Sequence, residues 1–110
     1  MKATITLIVL KSPFKFFALS VSALGIMKQL KNTKHLDFKK KGFWTKHYTM
    51  TLWETEEDLK AFASSGAHLE AMKISKKIAK EIRTKTITAD KLPDWNTAIN
   101  MLNDAKVIKY

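Results

Sequence analysis

The chain has 110 residues, a length typical of one domain, and we expect a single domain over residues 1–110. Its formal charge is +10, with nineteen lysines and one arginine, Arg83. The absence of cysteine excludes disulfides, thiolate metal sites and a cysteine nucleophile. The scarcity of arginine argues against specific nucleic-acid recognition, which favours bidentate guanidinium contacts. A solvated lysine surface is the simplest interpretation, and weak attraction to anionic ligands, nucleic acid or a membrane surface is the alternative.

The N-terminal residues predict a strand followed by a helix. Residues 3–10 are rich in Thr, Ile, Leu and Val, which is more typical of a first strand than of a signal peptide. We therefore expect a cytoplasmic protein. A helix is predicted over 14–31, with one apolar face formed by Phe17, Val21, Leu24 and Met27. Lysines, serines and a glycine interrupt this apolar run, so we expect no membrane span.

The middle of the chain predicts two strands and a capped helix. Residues 34–40 are a weak strand, Lys41-Gly42 supplies a turn, and 43–53 is the strongest strand of the chain. Thr55 has the spacing of a helix cap, followed by acidic residues that favour the helix start. The Ser64-Ser65-Gly66 break ends this short helix.

The C-terminal part predicts a helix, a strand and a final helix. The second helix should run from Ala67 to Ile82, followed by a strand over 83–90 in which threonines alternate. Pro93 suits the first turn of the last helix, whose buried side would comprise Trp95, Ile99 and Leu102.

The predicted order is β-α-β-β-α-β plus a terminal helix, which is the ferredoxin-like α+β arrangement. Helices of this arrangement cover one face of the sheet, so something else must cover the other face. A second copy of the chain is the simplest cover.

The segment from Tyr48 to Met72 resembles an uncharacterised bacterial family that is similar to spheroidene monooxygenase. The resemblance rests on the strand YTMTLWE, on Leu59 and Ala61-Phe62, and on the string SGAHLEAM after the break. That family belongs among the dimeric α+β barrel proteins, which include the antibiotic-biosynthesis monooxygenases. The resemblance implies a homodimer whose two sheets face each other around a barrel. It also implies a monooxygenase-like protein, or a binder of a small apolar or aromatic molecule.

Two branches of this superfamily align differently with the chain. In the haem-degrading monooxygenases, the axial histidine falls at Met72, the pocket tryptophan falls at Phe62, and no residue of 3–10 matches the pocket asparagine. In the antibiotic-biosynthesis monooxygenases, the pattern Glu-x-Trp meets Thr51-Leu52-Trp53, and a histidine meets His68. The resemblance therefore implies chemistry without a cofactor. Haem is the alternative cofactor, because spheroidene monooxygenase is associated with haem, and His68 would then be the axial ligand.

Alternation along the third strand separates an apolar set of side chains from a polar one. Tyr48, Met50 and Leu52 form the apolar set, which we expect beneath the helices. The polar set would line a ligand pocket if the threonines of neighbouring strands share its face. The predicted pocket residues of the strands are His47, Thr49, Thr51, Trp53, Thr4 and Thr6. Further candidates are Thr84, Thr86 and Thr88. Threonine is also common at exposed strand positions, so an exposed face is the alternative.

His68 is the candidate catalytic residue, because it follows the break in the first turn of a helix. The positive helix end disfavours an imidazolium, so a neutral ring could act as a general base or as a ligand. Met72 lies one turn further on the same face, and Phe62 completes the predicted pocket. A histidine that caps or packs is the alternative. The three histidines have no zinc-site spacing, and His35, among lysines, is expected to be exposed.

A non-enzymatic dimer that binds a ligand or a partner protein is the competing functional class. A stable dimer without a cofactor, and no loss of ligand binding on His68→Ala, would favour this class.

Overall fold

The fold is a five-stranded antiparallel sheet with helices on both faces. The structure is a computed structural model, and it describes residues 1–31, 33, 35–64, 66, 73–74 and 77–109, apart from the side chains of Ser22 and Phe43. The strands are β1 (Lys2–Leu10), β2 (His35–Phe43), β3 (Lys46–Trp53), β4 (Ala79–Thr88) and β5 (Lys106–Lys109). The helices are α1 (Phe16–Leu30), α2 (Glu56–Ala63) and α3 (Trp95–Met101). Short 3-10 turns, Pro13–Lys15 and Leu102–Asp104, adjoin α1 and α3.

The strand order β2-β3-β1-β4-β5 is the ferredoxin-like order with one strand added at an edge. β1 lies between β3 and β4 and runs antiparallel to both. The predicted α+β ferredoxin-like fold is therefore confirmed. The fifth strand, β5, was not predicted, because its four residues follow α3 after a single 3-10 turn and are too few to show a pattern.

The main core lies between α3 and the apolar face of the sheet. Ala3, Ile5, Leu7 and Val9 alternate along β1 and are buried, as the period-two pattern requires. Leu52 and Met50 stand opposite Ala3 and Ile5, and α3 closes the cluster with Ala98 and Leu102. The apolar set of β3 was expected beneath the helices, and in the structure it lies beneath α3 and not beneath α1 or α2.

From the sequence, the helices were expected on one face of the sheet, but the structure has helices on both faces. α3 covers the apolar face, whereas the C-terminal end of α1 and helix α2 pack on the opposite face, around Trp53. The face that carries the threonines is therefore the one beneath α1 and α2. A second copy of the chain was the expected cover of the other face, and α3 of the same chain covers part of it.

The predicted apolar face of α1 is exposed in the structure. Phe17, Val21 and Leu24 point away from the sheet, while Leu30 is buried against Trp53. α1 is apolar around most of its circumference, so the sequence did not indicate which side meets the sheet. Phe17, Val21 and Leu24 do share one helix face, as predicted, but this face is exposed.

Two predicted boundaries also differ. The hairpin turn lies at Trp44-Thr45 instead of Lys41-Gly42, because β2 continues in register with β3 as far as Phe43 opposite Lys46. β4 begins at Ala79, where a helix was expected to continue to Ile82. Of that helix, residues 73–74 and 77–78 are helical, and most of its first half lies outside the described residues.

One helix start follows the predicted chemistry, and a second differs from it. The Thr55 hydroxyl accepts a hydrogen bond from the Asp58 backbone N–H at 3.2 Å, which confirms the predicted cap of α2. Asp94 caps α3 in the same way, accepting from the backbone N–H of Thr97 at 3.1 Å and from its hydroxyl at 2.6 Å. Pro93 was expected in the first turn of the last helix, but α3 begins at Trp95 with Asp94 as its cap, so Pro93 precedes the helix. In the ranges that the structure describes, no helix is long and apolar enough to cross a membrane.

Candidate functional site

Two rows of threonine hydroxyls cross the three central strands, β3, β1 and β4, on the face beneath α1 and α2. The register places Thr4 between Thr51 and Thr86, and it places Thr6 between Thr49 and Thr84. The hydroxyls of Thr4 and Thr86 are 3.1 Å apart, within hydrogen-bond distance. We call the six residues the threonine floor: Thr4, Thr6, Thr49, Thr51, Thr84 and Thr86. Thr86 is exposed, and the other five residues are half-buried.

An aromatic cluster closes one end of the threonine floor. Trp53, at the end of β3, packs against Phe62 of α2 with ring centroids 5.1 Å apart. Leu30 of α1 completes the buried centre, and partly buried side chains surround it: Ile26, Phe38 and Leu59. We call these six residues the Trp53 cluster. Four different elements supply it, so its geometry depends on the tertiary fold.

Among the described residues, none accepts a hydrogen bond from the indole N–H of Trp53. Trp53 is 1% exposed. In the described part of the protein, its Nε1 is the one buried side-chain nitrogen or oxygen that forms no hydrogen bond. A buried donor in this state costs about 1–3 kcal/mol, and such atoms are rare in native proteins. A ligand with an acceptor oxygen would satisfy Nε1, which makes the indole a candidate ligand-binding donor.

His35 stands beside Trp53, and the sequence interpretation missed it. The two residues are opposite in the β2–β3 register, and their rings meet edge to face with centroids 6.2 Å apart. Nδ1 of His35 is 3.2 Å from the hydroxyl of Thr33. No described residue bonds its Nε2, so this nitrogen is free to exchange a proton with a ligand. His35 is half-buried instead of exposed, and its pairing with Trp53 depends on strand register, which the sequence does not reveal.

His47 lies at the far end of the same sheet face. Its Nε2–H donates to the Trp44 carbonyl at 3.1 Å, and its ring contacts Phe16 with centroids 5.3 Å apart. A Cβ on Gly42 would lie 2.6 Å from Nδ1 of His47, so the imidazole occupies space that is available only because residue 42 is glycine. His47 and Trp53 are six residues apart on one strand, about 20 Å at an extended rise. The structure therefore brings Trp53, Phe62 and part of the threonine floor together, and it separates His47 from them.

His68 and Met72, the remaining predicted pocket residues, lie outside the described residues. Within the described ranges, no group of three or more His, Cys, Asp or Glu side chains is arranged to hold a metal ion.

A second candidate, a cleft, opens on the apolar face beside α3. Its volume is about 240 Å³, and its polar lining includes Tyr48, Glu81 and Arg83. Arg83 donates to Glu81 at 2.9 Å and to the Leu102 carbonyl at 3.3 Å, so protein groups already occupy much of its hydrogen-bonding capacity. This cleft is a weaker candidate than the Trp53 end of the threonine floor.

No protein-family model and no curated protein matches this sequence. Solved structures share its fold at low sequence identity. Rv0793 from Mycobacterium tuberculosis superposes with a TM-score of 0.73 at 8% identity, covering 84% of this chain and 98% of that one. An antibiotic biosynthesis monooxygenase has a TM-score of 0.67 at 10% identity, covering 84% and 100%. SnoaB, a cofactor-independent oxygenase from Streptomyces nogalater, has a TM-score of 0.62 at 9% identity, covering 84% and 97%. At these identities the likeness establishes the fold.

Proposed function

We propose that this protein binds a small, electron-rich aromatic molecule beside Trp53 and oxygenates it without a cofactor. The unpartnered Nε1–H of Trp53 carries the proposal, because it is a buried donor inside an aromatic cluster at the edge of a hydroxyl-lined surface. The shared fold with SnoaB, a cofactor-independent oxygenase, supports the reaction class.

Two groups at this end of the sheet suit the chemistry. Nε2 of His35 would accept a proton from an activated C–H or O–H of the substrate. The Trp53 N–H would donate to the substrate oxygen on which negative charge develops, and this hydrogen bond is stronger in a dry site.

The resulting anion reduces molecular oxygen directly, and the reaction balances without a further reductant. For a methylene flanked by aromatic rings, one oxygen atom becomes the new carbonyl oxygen. The other oxygen atom leaves as water with the two methylene hydrogens. The substrate therefore supplies all four electrons that molecular oxygen accepts.

The predicted pocket residues would form the walls. Phe62 would contact the aromatic rings, and the hydroxyls of Thr51 and Thr49 would lie along the floor next to Trp53. Thr4 and Thr6 stand beside them on β1. Because the indole is buried, ligand entry requires the cluster to open. The eight-residue α2, which carries Phe62 and Leu59, is the shorter of the two helices around it and the element that we expect to move.

Anthrone is a suitable test substrate, because its central methylene becomes the carbonyl of anthraquinone. We expect oxygen consumption equal to anthraquinone formed, in the presence of a metal chelator and without added cofactor. Trp53→Phe and His35→Gln should each lower the rate about 10²-fold or more, the usual scale for loss of an oxyanion donor or a general base. His47→Gln is the matched control, a histidine on the same face about 20 Å away, and should retain the rate.

Three results would change the proposal. Full activity in Trp53→Phe would refute the role of the indole donor. Activity that is lost in His68→Ala and kept in His35→Gln would move the base to His68. Tight anthrone binding that depends on Trp53, without turnover, would favour the non-enzymatic ligand-binding class.

We also propose that the working form is a homodimer. The cleft at Arg83 leaves part of the apolar sheet face open, and the edge strand β5 exposes Val107 and Ile108. A second sheet packed there would bury this surface and produce a dimeric barrel. Light scattering behind size exclusion should give twice the chain mass, 25.2 kDa instead of 12.6 kDa. A monomer at micromolar concentration would refute the dimer while leaving the Trp53 site testable. The narrower kinship with spheroidene monooxygenase stays a prediction.

A further inference from the structure

We propose that the outer face of α1 and the adjoining β2–β3 hairpin bind an anionic lipid bilayer surface. This surface is separate from the Trp53 site, and it combines three observations. They are an exposed apolar stripe, an exposed tryptophan held at the hairpin tip, and a charge distribution concentrated in the same half of the chain.

The apolar stripe runs along one side of α1 and of the turn before it. Phe14 is 82% exposed, Phe17 75%, Val21 72% and Leu24 61%, and their spacing of three or four residues puts them on one helix face. We call these four residues the α1 stripe. A soluble helix normally turns its polar side to solvent, but α1 packs one apolar side near Trp53 and leaves another uncovered. An uncovered apolar stripe of this kind indicates an interaction surface.

The tip of the β2–β3 hairpin adds an aromatic side chain beside the start of α1. His47 joins the two, since its ring contacts Phe16 and its Nε2–H donates to the Trp44 carbonyl. Trp44 has a φ of 57°, a left-handed conformation that a bulky residue rarely adopts, and is 72% exposed. Tryptophan and phenylalanine favour the interface between headgroups and acyl chains.

The positive charge of the same region indicates that its partner is anionic. Residues 1–53 contain ten lysines and one acidic residue, Asp37, whereas the rest of the chain is nearly neutral. Lys28 and Lys31 continue the spacing of the α1 stripe, and both are exposed. Lys40 on β2 reaches α1, with its Nζ 3.8 Å from the Met27 sulfur. A second copy of this surface would be repelled by like charge, while an anionic bilayer complements both the lysines and the apolar stripe. Nucleic acid would complement the lysines and leave the α1 stripe without a partner.

The experiment is co-sedimentation with vesicles, using the full chain. We expect binding to vesicles of equal parts phosphatidylcholine and phosphatidylglycerol, and weak binding to pure phosphatidylcholine. Trp44 emission should shift to shorter wavelength on binding, and Trp44→Phe should remove that shift, because Trp53 is buried and Trp95 half-buried. Lys28→Gln with Lys31→Gln should weaken binding about 30-fold, at roughly fivefold per lysine near the surface.

The apolar contribution needs its own variant and a matched control. Phe17→Ser with Val21→Ser should weaken binding at least about tenfold, because each side chain inserts apolar area that is otherwise wet. Both positions are exposed, so we expect an unchanged circular-dichroism spectrum and melting temperature. Leu36→Ser removes an exposed apolar side chain of β2, far from the hairpin tip and outside the α1 stripe, and should leave vesicle binding intact. Lys80→Gln with Lys91→Gln is the corresponding charge control.

Four outcomes would overturn the proposal. One is equal binding to the two vesicle types. Another is anionic-vesicle binding that survives Phe17→Ser with Val21→Ser, which would make the contact purely electrostatic. A third is lipid-independent self-association that this double variant abolishes, because the stripe would then be a contact between copies. The last is RNA binding tighter than vesicle binding and insensitive to the stripe. None of these readouts uses oxygenase activity, so the proposal stands or fails separately from the proposed function.

Discussion

Trp53→Phe separates the role of the indole N–H from the role of the ring. The change keeps an aromatic ring against Phe62 and removes the unpartnered donor. Removing the donor relieves a penalty of about 1–3 kcal/mol. Losing two buried ring carbons costs about 1.6 kcal/mol at ~0.8 kcal/mol per buried carbon, with a small cavity term added. These effects nearly cancel, so we expect the free energy of unfolding to change by less than about 1 kcal/mol.

Trp53→Ala is the reference variant against which the stability of Trp53→Phe is compared. It removes the whole ring from the Trp53 cluster, and truncations of this size cost about 3–5 kcal/mol. Urea unfolding followed by far-ultraviolet circular dichroism measures both variants without relying on tryptophan emission. The midpoints should differ strongly between the two, with similar slopes. If Trp53→Phe destabilised the protein as much as Trp53→Ala, the indole N–H would have a partner in the folded protein, and the reasoning that makes it a ligand donor would be wrong.

Three further predictions concern the histidines and a helix cap. Gly42→Ala should displace the His47 ring and weaken its hydrogen bond to the Trp44 carbonyl, which should lower the free energy of unfolding by about 1 kcal/mol. The ring resonances of His47 in nuclear magnetic resonance spectra should shift. Hydrogen bonds from Thr97 lower the pKa of Asp94 below 3.8, so wild type should exceed Asp94→Asn in stability near neutral pH. That difference should vanish as pH falls through the lowered pKa, and unfolding curves across acidic pH measure it. Haem titration should give no stoichiometric Soret shift, and a sharp shift lost in His68→Ala would instead assign haem to this protein.

Local sequence signals predicted the elements whose chemistry is local. The cap at Thr55 depends on residues three positions apart, and the structure has the expected hydrogen bond to the Asp58 N–H. The buried alternation of β1 depends on a period of two within one strand, and Ile5 lies fully buried at its centre. Because the order of such elements restricts the topology strongly, the ferredoxin-like fold could be predicted from them.

Signals that depend on a distant partner were less informative. Phe17 and Leu30 both belong to apolar positions of α1, yet the sheet covers Leu30 and leaves Phe17 in water. Ile82 continues an apolar helical spacing, but pairing with Ile8 and Ile108 makes it part of a strand. In both cases tertiary contacts decide between two local interpretations, as expected for short apolar segments.

Strand register decides which histidine can serve the ligand. His47 and Trp53 share a face by alternation, which is visible in the sequence, but about 20 Å of strand separates them. His35 is far from Trp53 along the chain, and pairing of β2 with β3 places it directly opposite the indole. An aromatic molecule about 10 Å long that binds Nε1 of Trp53 would extend past Thr51, about 7 Å along the rise of the strand, and would stop well short of His47 at about 20 Å. Among the described histidines, the proton transfer proposed for this site therefore falls to His35.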